Sequence, residues 1–233
     1  MAEAQFNEKL ESAILKRPKT LYKLAYDYPK KAEIIAKRIW DTRTADGKTV
    51  LDKIETITRK DSYKGKRDAA SAADKAKLDR REHVQREKWI AKCLKDKKFR
   101  AVGKIIDYET PLKTPCPSED ENVGVGKIDL VAHDAKKKKV FLLELKTENN
   151  EEPLLRCALE IYTYWKQLNH VKFLKDFGIA PGTPIEPAIL IFKNCCQHCE
   201  YKSKISKYTN ELIKALKIKV YTIEPRFEIT KGV

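Results

Sequence analysis

The sequence predicts an α/β fold, a mixed central sheet flanked by helices and preceded by a helical N-terminal region. Three observations carry that expectation. After residue 80 the chain alternates between helical and strand periods in the order α-β-β-β-α-β, with a further αβ unit at the end, an order that packs helices onto a mixed sheet. The segment VFLLELK at 140–146 begins as a run apolar on both faces, as a central strand covered on both sides does. Residues 6–40 instead repeat their apolar side chains at helical spacing.

In the first region Leu10, Ile14, Leu21 and Leu24, then Ile34, Ile35 and Ile39, mark short helices, with Pro18 and Pro29 as breaks. One more helix is expected near 50–57. The run RKDSYKGKRDAASAADKAKLDRR that follows is basic and nearly free of large apolar side chains, and it reads as a linker or an exposed helix. The expected division is a helical region with a basic linker at 1–78 and an α/β domain at 79–233. The second part opens with a helix at 80–96. Strands follow at 101–108, 126–133 and 139–146, the last two joined by the polar turn HDAKKK. A helix at 153–175, a strand at 187–192, a helix at 203–216 and a strand at 218–223 complete the series.

The 233 residues include 49 Lys and Arg against 34 Asp and Glu, a net charge of +15. Such a field concentrates polyanions near the surface, so nucleic acid is the expected partner. No stretch approaches the roughly 18 apolar residues of a membrane span, and the first thirty residues hold no apolar core of an export signal. The expectation is a cytoplasmic protein with no membrane partner. Six cysteines in such a chain read as reduced thiols or metal ligands.

Charge at the end of the buried strand needs a reason. Side chains two apart on a strand share a face, so Glu144 and Lys146 point one way while Phe141, Leu143 and Leu145 point the other. If the two strands form a hairpin through HDAKKK, antiparallel pairing brings Asp129 opposite Glu144, with Cβ atoms about 5 Å apart. Two carboxylates that close repel unless a cation sits with them, and hard oxygen ligands suit Mg²⁺ or Mn²⁺. Such an ion activates water and stabilises charge on a phosphoryl group, and Lys146 beside it can orient that water or neutralise the developing charge.

Asp129, fourteen intervening residues and then Glu144-Leu145-Lys146, on consecutive strands with a helix and a strand before and after, resembles the PD-(D/E)XK nuclease superfamily. The resemblance covers about 80–192 and implies a restriction-endonuclease-like fold. It also implies a Mg²⁺- or Mn²⁺-dependent phosphodiesterase, DNA in preference to RNA as substrate, and Asp129 and Glu144 as metal ligands. Ile128 stands where the family often has proline. On a helical wheel Glu87 falls in the arc of Val84, Ile90, Ala91 and Leu94, the position of the family's supporting metal-site glutamate; Glu82 lies elsewhere. Glu160 and Tyr164, four apart on the later helix, are similar to the family's Gln-xxx-Tyr element with Glu in place of Gln. Tyr162, Tyr164 and Trp165 read as core. A DNA endonuclease cutting both strands would be served by a homodimer. The alternative is a nuclease-fold module that binds nucleic acid or a partner without turnover.

Other signals carry less. Cys195, Cys196, His198 and Cys199 in KNCCQHCEY include a C-x-x-C spacing able to hold one side of a zinc or iron-sulfur site. Its other half is missing, unless Cys93 or Cys116 supplies it. Gly124 and Gly126, in GVGK, read as a turn entering the second strand, and Lys136–Lys139 as a solvated turn.

Overall fold

The computed structural model of the chain describes residues 2–65, 67–71, 86–114, 126–224 and 229–231. Glu82, Val84, Cys116, Gly124 and the first part of the helix expected at 80–96 lie outside the described residues. Helices α1 (Ala2–Lys16), α2 (Leu21–Asp27) and α3 (Ala32–Trp40) come first, and α4 (Arg86–Leu94) opens the second part. Strands β1 (Lys98–Phe99), β2 (Gly103–Pro111), β3 (Lys127–Asp134) and β4 (Lys139–Lys146) follow. The chain continues through α5 (Leu154–Gln167), α6 (His170–Phe177), β5 (Ile185–Phe192), α7 (Cys196–Lys202), α8 (Lys207–Ala215), β6 (Lys219–Ile223) and β7 (Ile229–Lys231).

The strands form one mixed sheet in sequence order, β1 to β7. Strands β1 to β4 are antiparallel neighbours, β4, β5 and β6 run parallel, and β7 returns antiparallel. The parallel pair needs a crossover, which α5 and α6 supply. Strand β4 lies at the change from antiparallel to parallel pairing. From Val140 to Lys146 every residue is buried, which explains why Val140–Leu143 are apolar on both faces and leaves the charges of Glu144 and Lys146 enclosed at the strand's end. The short outer strands β1 and β7 fall below what periodicity detects.

The helix expected at 153–175 is two helices. Leu168 is extended (φ −69°, ψ 131°), and the Asn169 side chain caps α6 by accepting the Lys172 N–H at 3.0 Å. Residues from the N-terminal region fill the break, with the Ile57 N–H donating to the Gln167 carbonyl at 2.7 Å. The helix expected near 50–57 is one 3-10 turn, Val50–Lys53, closed by a reciprocal cap between Thr49 and Asp52. The helix expected at 203–216 begins at Lys207, and α7 precedes it.

Part of the run read as a linker or exposed helix is an irregular strap held against the body. Tyr63 is fully buried against Phe173, with ring centroids 5.7 Å apart, and Arg67 pairs with Asp107 of β2 at 3.2 Å. The helical region shares the sheet's core: Leu21, Ile35 and Ile39 are buried in the same apolar cluster as Leu142 and Ile161. Glu33 of α3 accepts the N–H groups of Tyr208 and Thr209 at 2.9 and 3.0 Å, placing a carboxylate on the exposed donors at the start of α8. No helix among the described residues is long and apolar enough to cross a membrane.

Candidate active site

The site forms where β3 and β4 part. Their ladder runs from Asp134 opposite Lys139 to Leu130 opposite Leu143, so Asp129 and Glu144 are the next residues in register. Beyond that point the Leu145 N–H has no β3 carbonyl, and the Asp129 carboxylate accepts it at 2.8 Å. On its other edge β4 stays paired with β5, Glu144 opposite Ile189 and Lys146 opposite Ile191. The charged strand end is thus fixed on one side by backbone and on the other by a side chain.

Lys146 is the hub. Its Nζ lies 2.9 Å from Glu144, 3.0 Å from Glu152 and 3.7 Å from Glu87, and the residue is only 4% exposed. Glu87, half-buried on α4, is oriented by Asn150, whose amide donates to it at 2.9 Å. Arg156 of α5 pairs with Glu152 and, at 3.4 Å, with Glu160. Tyr164 donates to Glu160 at 2.7 Å across one helical turn. The sequence-predicted residues Asp129, Glu144, Lys146 and Glu87 therefore meet at one place, and the Glu160–Tyr164 pair borders it.

Five carboxylates, Glu87, Asp129, Glu144, Glu152 and Glu160, face two cations, Lys146 and Arg156. Burial pushes Asp129 up to about 7, with Glu87 and Glu160 adding to the rise against the pull of Lys146. Part of Asp129 stays accessible, so a ligand can reach it. Burial, then Asp129 and Glu160, hold Glu144 well above the usual carboxylate range. Burial would lower Lys146, but Glu144 and its other neighbours outweigh it and keep the ammonium charged. Burial and Glu160 raise Tyr164 far above an ordinary phenol, so it is a neutral donor.

Carboxylates outnumber cations here five to two, and such an excess of oxygen donors fits a hard divalent cation. Among the described residues no three His, Cys, Asp or Glu side chains are arranged as a ready-made ligand group. Mg²⁺ does not need one, since it binds through one or two carboxylates and completes its shell with water and substrate oxygens.

Sequence reading missed the residues that hold this arrangement. Gln197, fully buried, donates from Nε2 to the Asn150 carbonyl (2.9 Å), the Asn150 Oδ1 (3.0 Å) and the Glu152 carbonyl (2.6 Å), fixing the loop after β4. Glu200 accepts the Leu154 N–H at 2.8 Å at the start of α5. Both lie inside the cysteine-rich segment. Its cysteines do something else: Cys195 caps α7 by accepting the His198 N–H at 3.4 Å, while Cys196 and Cys199 are exposed free thiols. Gly126 also has a site-related reason, because a Cβ there would fall 1.9 Å from the Tyr164 hydroxyl.

A cleft of about 890 Å³ lies elsewhere, between Arg43, Trp165, Lys214 and Lys217 beside Ile185 at the start of β5. Ile185 is across from Val140, the opposite end of β4 from Lys146. For a polymeric substrate bound on an open surface, the buried charges are a better guide than volume. Compared with family models, with curated proteins and with solved structures, the chain matches none.

Proposed function

We propose that this chain is a divalent-metal-dependent nuclease of the PD-(D/E)XK type that hydrolyses phosphodiester bonds in DNA. The observation that carries the reading is the carboxylate pair of part-accessible Asp129 and buried Glu144, gathered around Lys146 where β3 and β4 separate. The order α4, β2, β3, β4, α5, β5, with an antiparallel meander leading into a parallel crossover, supports a restriction-endonuclease-like core. The net charge of +15 supports a polyanionic substrate.

Asp129 and Glu144 would hold Mg²⁺ or Mn²⁺, with Glu87 supporting. When bound, the ion supplies Lewis-acid stabilisation of charge on the phosphoryl group and acidifies water. The protein's own groups do the rest. Lys146 presents a charged ammonium beside the ligands, where it neutralises charge developing on a phosphoryl oxygen and orients the attacking water. Glu152 and Glu144 hold that ammonium in place. Gln197 and Asn150 keep the loop and Glu87 from moving away.

The test is cleavage of circular single-stranded and supercoiled duplex DNA by wild type and Lys146→Ala in Mg²⁺, Mn²⁺ or EDTA. Metal-dependent products from the wild type alone support the assignment, and cut circles identify an endonuclease. Binding that is equally tight in EDTA, with no products in either metal, would replace it with a non-catalytic nucleic-acid-binding module.

A further inference from the structure

Helix α2 brings the helical region to the candidate active site. Tyr22 and Tyr26 sit four apart on it, on one face. Tyr22 is buried, meets Tyr164 edge-on with centroids 6.1 Å apart, and shares a hydrogen bond with its hydroxyl. One turn later Tyr26 reaches the rim, where the Arg156 guanidinium lies over its ring at 4.6 Å from the centroid. Arg156 is itself anchored to Glu152 and Glu160, and Glu152 touches Lys146 at 3.0 Å. A chain of direct contacts therefore runs from Lys146 through Glu152 and Arg156 to Tyr26.

Tyr26 is 57% exposed, although Arg156 covers one ring face. A large aromatic held this way, on a helix and against an arginine anchored in a partly buried ion-pair network, presents a stacking surface two side chains away from Lys146. The surrounding charge suits a nucleic-acid strand. Residues 16–31 carry six Lys and Arg against one acid, Asp27, and Lys16, Arg17, Lys19, Lys23 and Lys30 are exposed. Aromatic faces stack with unpaired bases of any sequence, while neighbouring cations track the phosphates.

We propose that Tyr26, backed by Arg156, is a base-stacking platform that positions an unpaired strand at the Asp129–Glu144–Lys146 site, which makes single-stranded DNA the preferred substrate. This rests on the nuclease reading and adds its substrate class. Within a closed duplex both faces of each base are already stacked, so the platform has nothing to engage without melting the pair.

The experiment compares wild type, Tyr26→Ala and Tyr26→Trp on a labelled single strand, on the same strand with one abasic site stepped along it, and on the corresponding blunt duplex. KM and kcat are read in Mg²⁺, and strand binding is read by fluorescence anisotropy in EDTA. The expected result is a KM for the intact strand raised about ten-fold by Tyr26→Ala, kcat within about two-fold, and recovery with Tyr26→Trp. At one abasic position the difference between wild type and Tyr26→Ala should vanish. An unchanged KM for Tyr26→Ala, an equal loss at every abasic position, or a duplex cleaved with the same KM as the single strand would overturn the platform. If the wild type cuts nothing, the nuclease reading fails alone. The anisotropy series then still decides the platform, by whether Tyr26→Ala weakens the intact strand and spares the strand that lacks its base.

Discussion

The two ends of β4 hold similar numbers of charged groups and use them differently. At the end near Val140, Lys139 pairs with Glu186, while Lys166 pairs with Asp52 and Lys48 with Asp46 around the 890 Å³ cleft. These pairs are exposed or half-exposed, each cation has an acid of its own, and solvent screens them. At the other end one buried lysine serves three carboxylates, with two more nearby and one arginine to share. The first arrangement is what a soluble surface needs. The second costs folding free energy that a stability-driven sequence would avoid, and such cost concentrates where charges have work to do. Cleft volume and chemical strain thus point to opposite ends of one strand.

Activity should separate the ends most sharply. Lys146→Ala or Glu144→Gln is expected to lower metal-dependent cleavage by about 10²- to 10³-fold or more, whereas Lys217→Ala in the cleft should leave it within about two-fold. Initial rates on a labelled single strand measure both, and equal losses at the two ends would erase the distinction. Lys146→Ala also strips the buried carboxylates of their counter-ion. Its stability should fall by about 3 kcal/mol near pH 8, judged by urea unfolding, and by less near pH 5, where the acids take up protons.

The next effect is on the wild type without metal. Burial pushes Asp129 up to about 7 in the folded chain against about 3.9 when unfolded, so between those values the folded state holds the extra proton and stability falls as pH rises. The loss is absent below about pH 4 and complete above about pH 7; Glu144, shifted the same way, adds to it. Lys146 is protonated in both states throughout that window and contributes no slope. In EDTA, Tm should drop by about 5 °C or more from pH 5 to pH 8, and Mn²⁺ should restore more of it at pH 8 than at pH 5. A metal-free Tm that climbs through this range would mean the carboxylate pair is not under strain.

What the sequence revealed about this comparison follows from how local each signal is. The run VFLLELK exposes its two-sided burial directly, and the HDAKKK turn sets the register that brings Asp129 level with Glu144. Glu87 was legible because a helical wheel needs only nearby residues. Asn169 could have warned that the helix at 153–175 breaks, since an Asn followed by a fresh helical period is a capping signal. Glu152, Gln197 and Tyr22 act through contacts between distant segments, and nothing in their own neighbourhoods distinguishes them. Tyr63 sits in a run that reads as a linker, yet Phe173 buries it completely. The cysteines drew attention by spacing, while the work in that segment falls to Gln197 and Glu200 between and beside them.

Two smaller substitutions sharpen the contrast between side chains that shape the site and those that only hold a helix. Gly126→Ala forces a methyl into the space of the Tyr164 hydroxyl, and a phenol held by Glu160 and packed on Tyr22 cannot swing aside freely. The expected outcome is a loss of about 1–3 kcal/mol in stability together with a fall of several-fold or more in cleavage rate. Cys195→Ala removes a buried sulfur that both packs in the core and caps α7, and should cost about 1–2 kcal/mol. Because Gln197 and Glu200 remain on that helix, cleavage by Cys195→Ala should stay within about two-fold of wild type. Zinc chelation should not change that rate. A large activity loss in Cys195→Ala without a matching loss of stability would return the cysteine cluster to the chemistry.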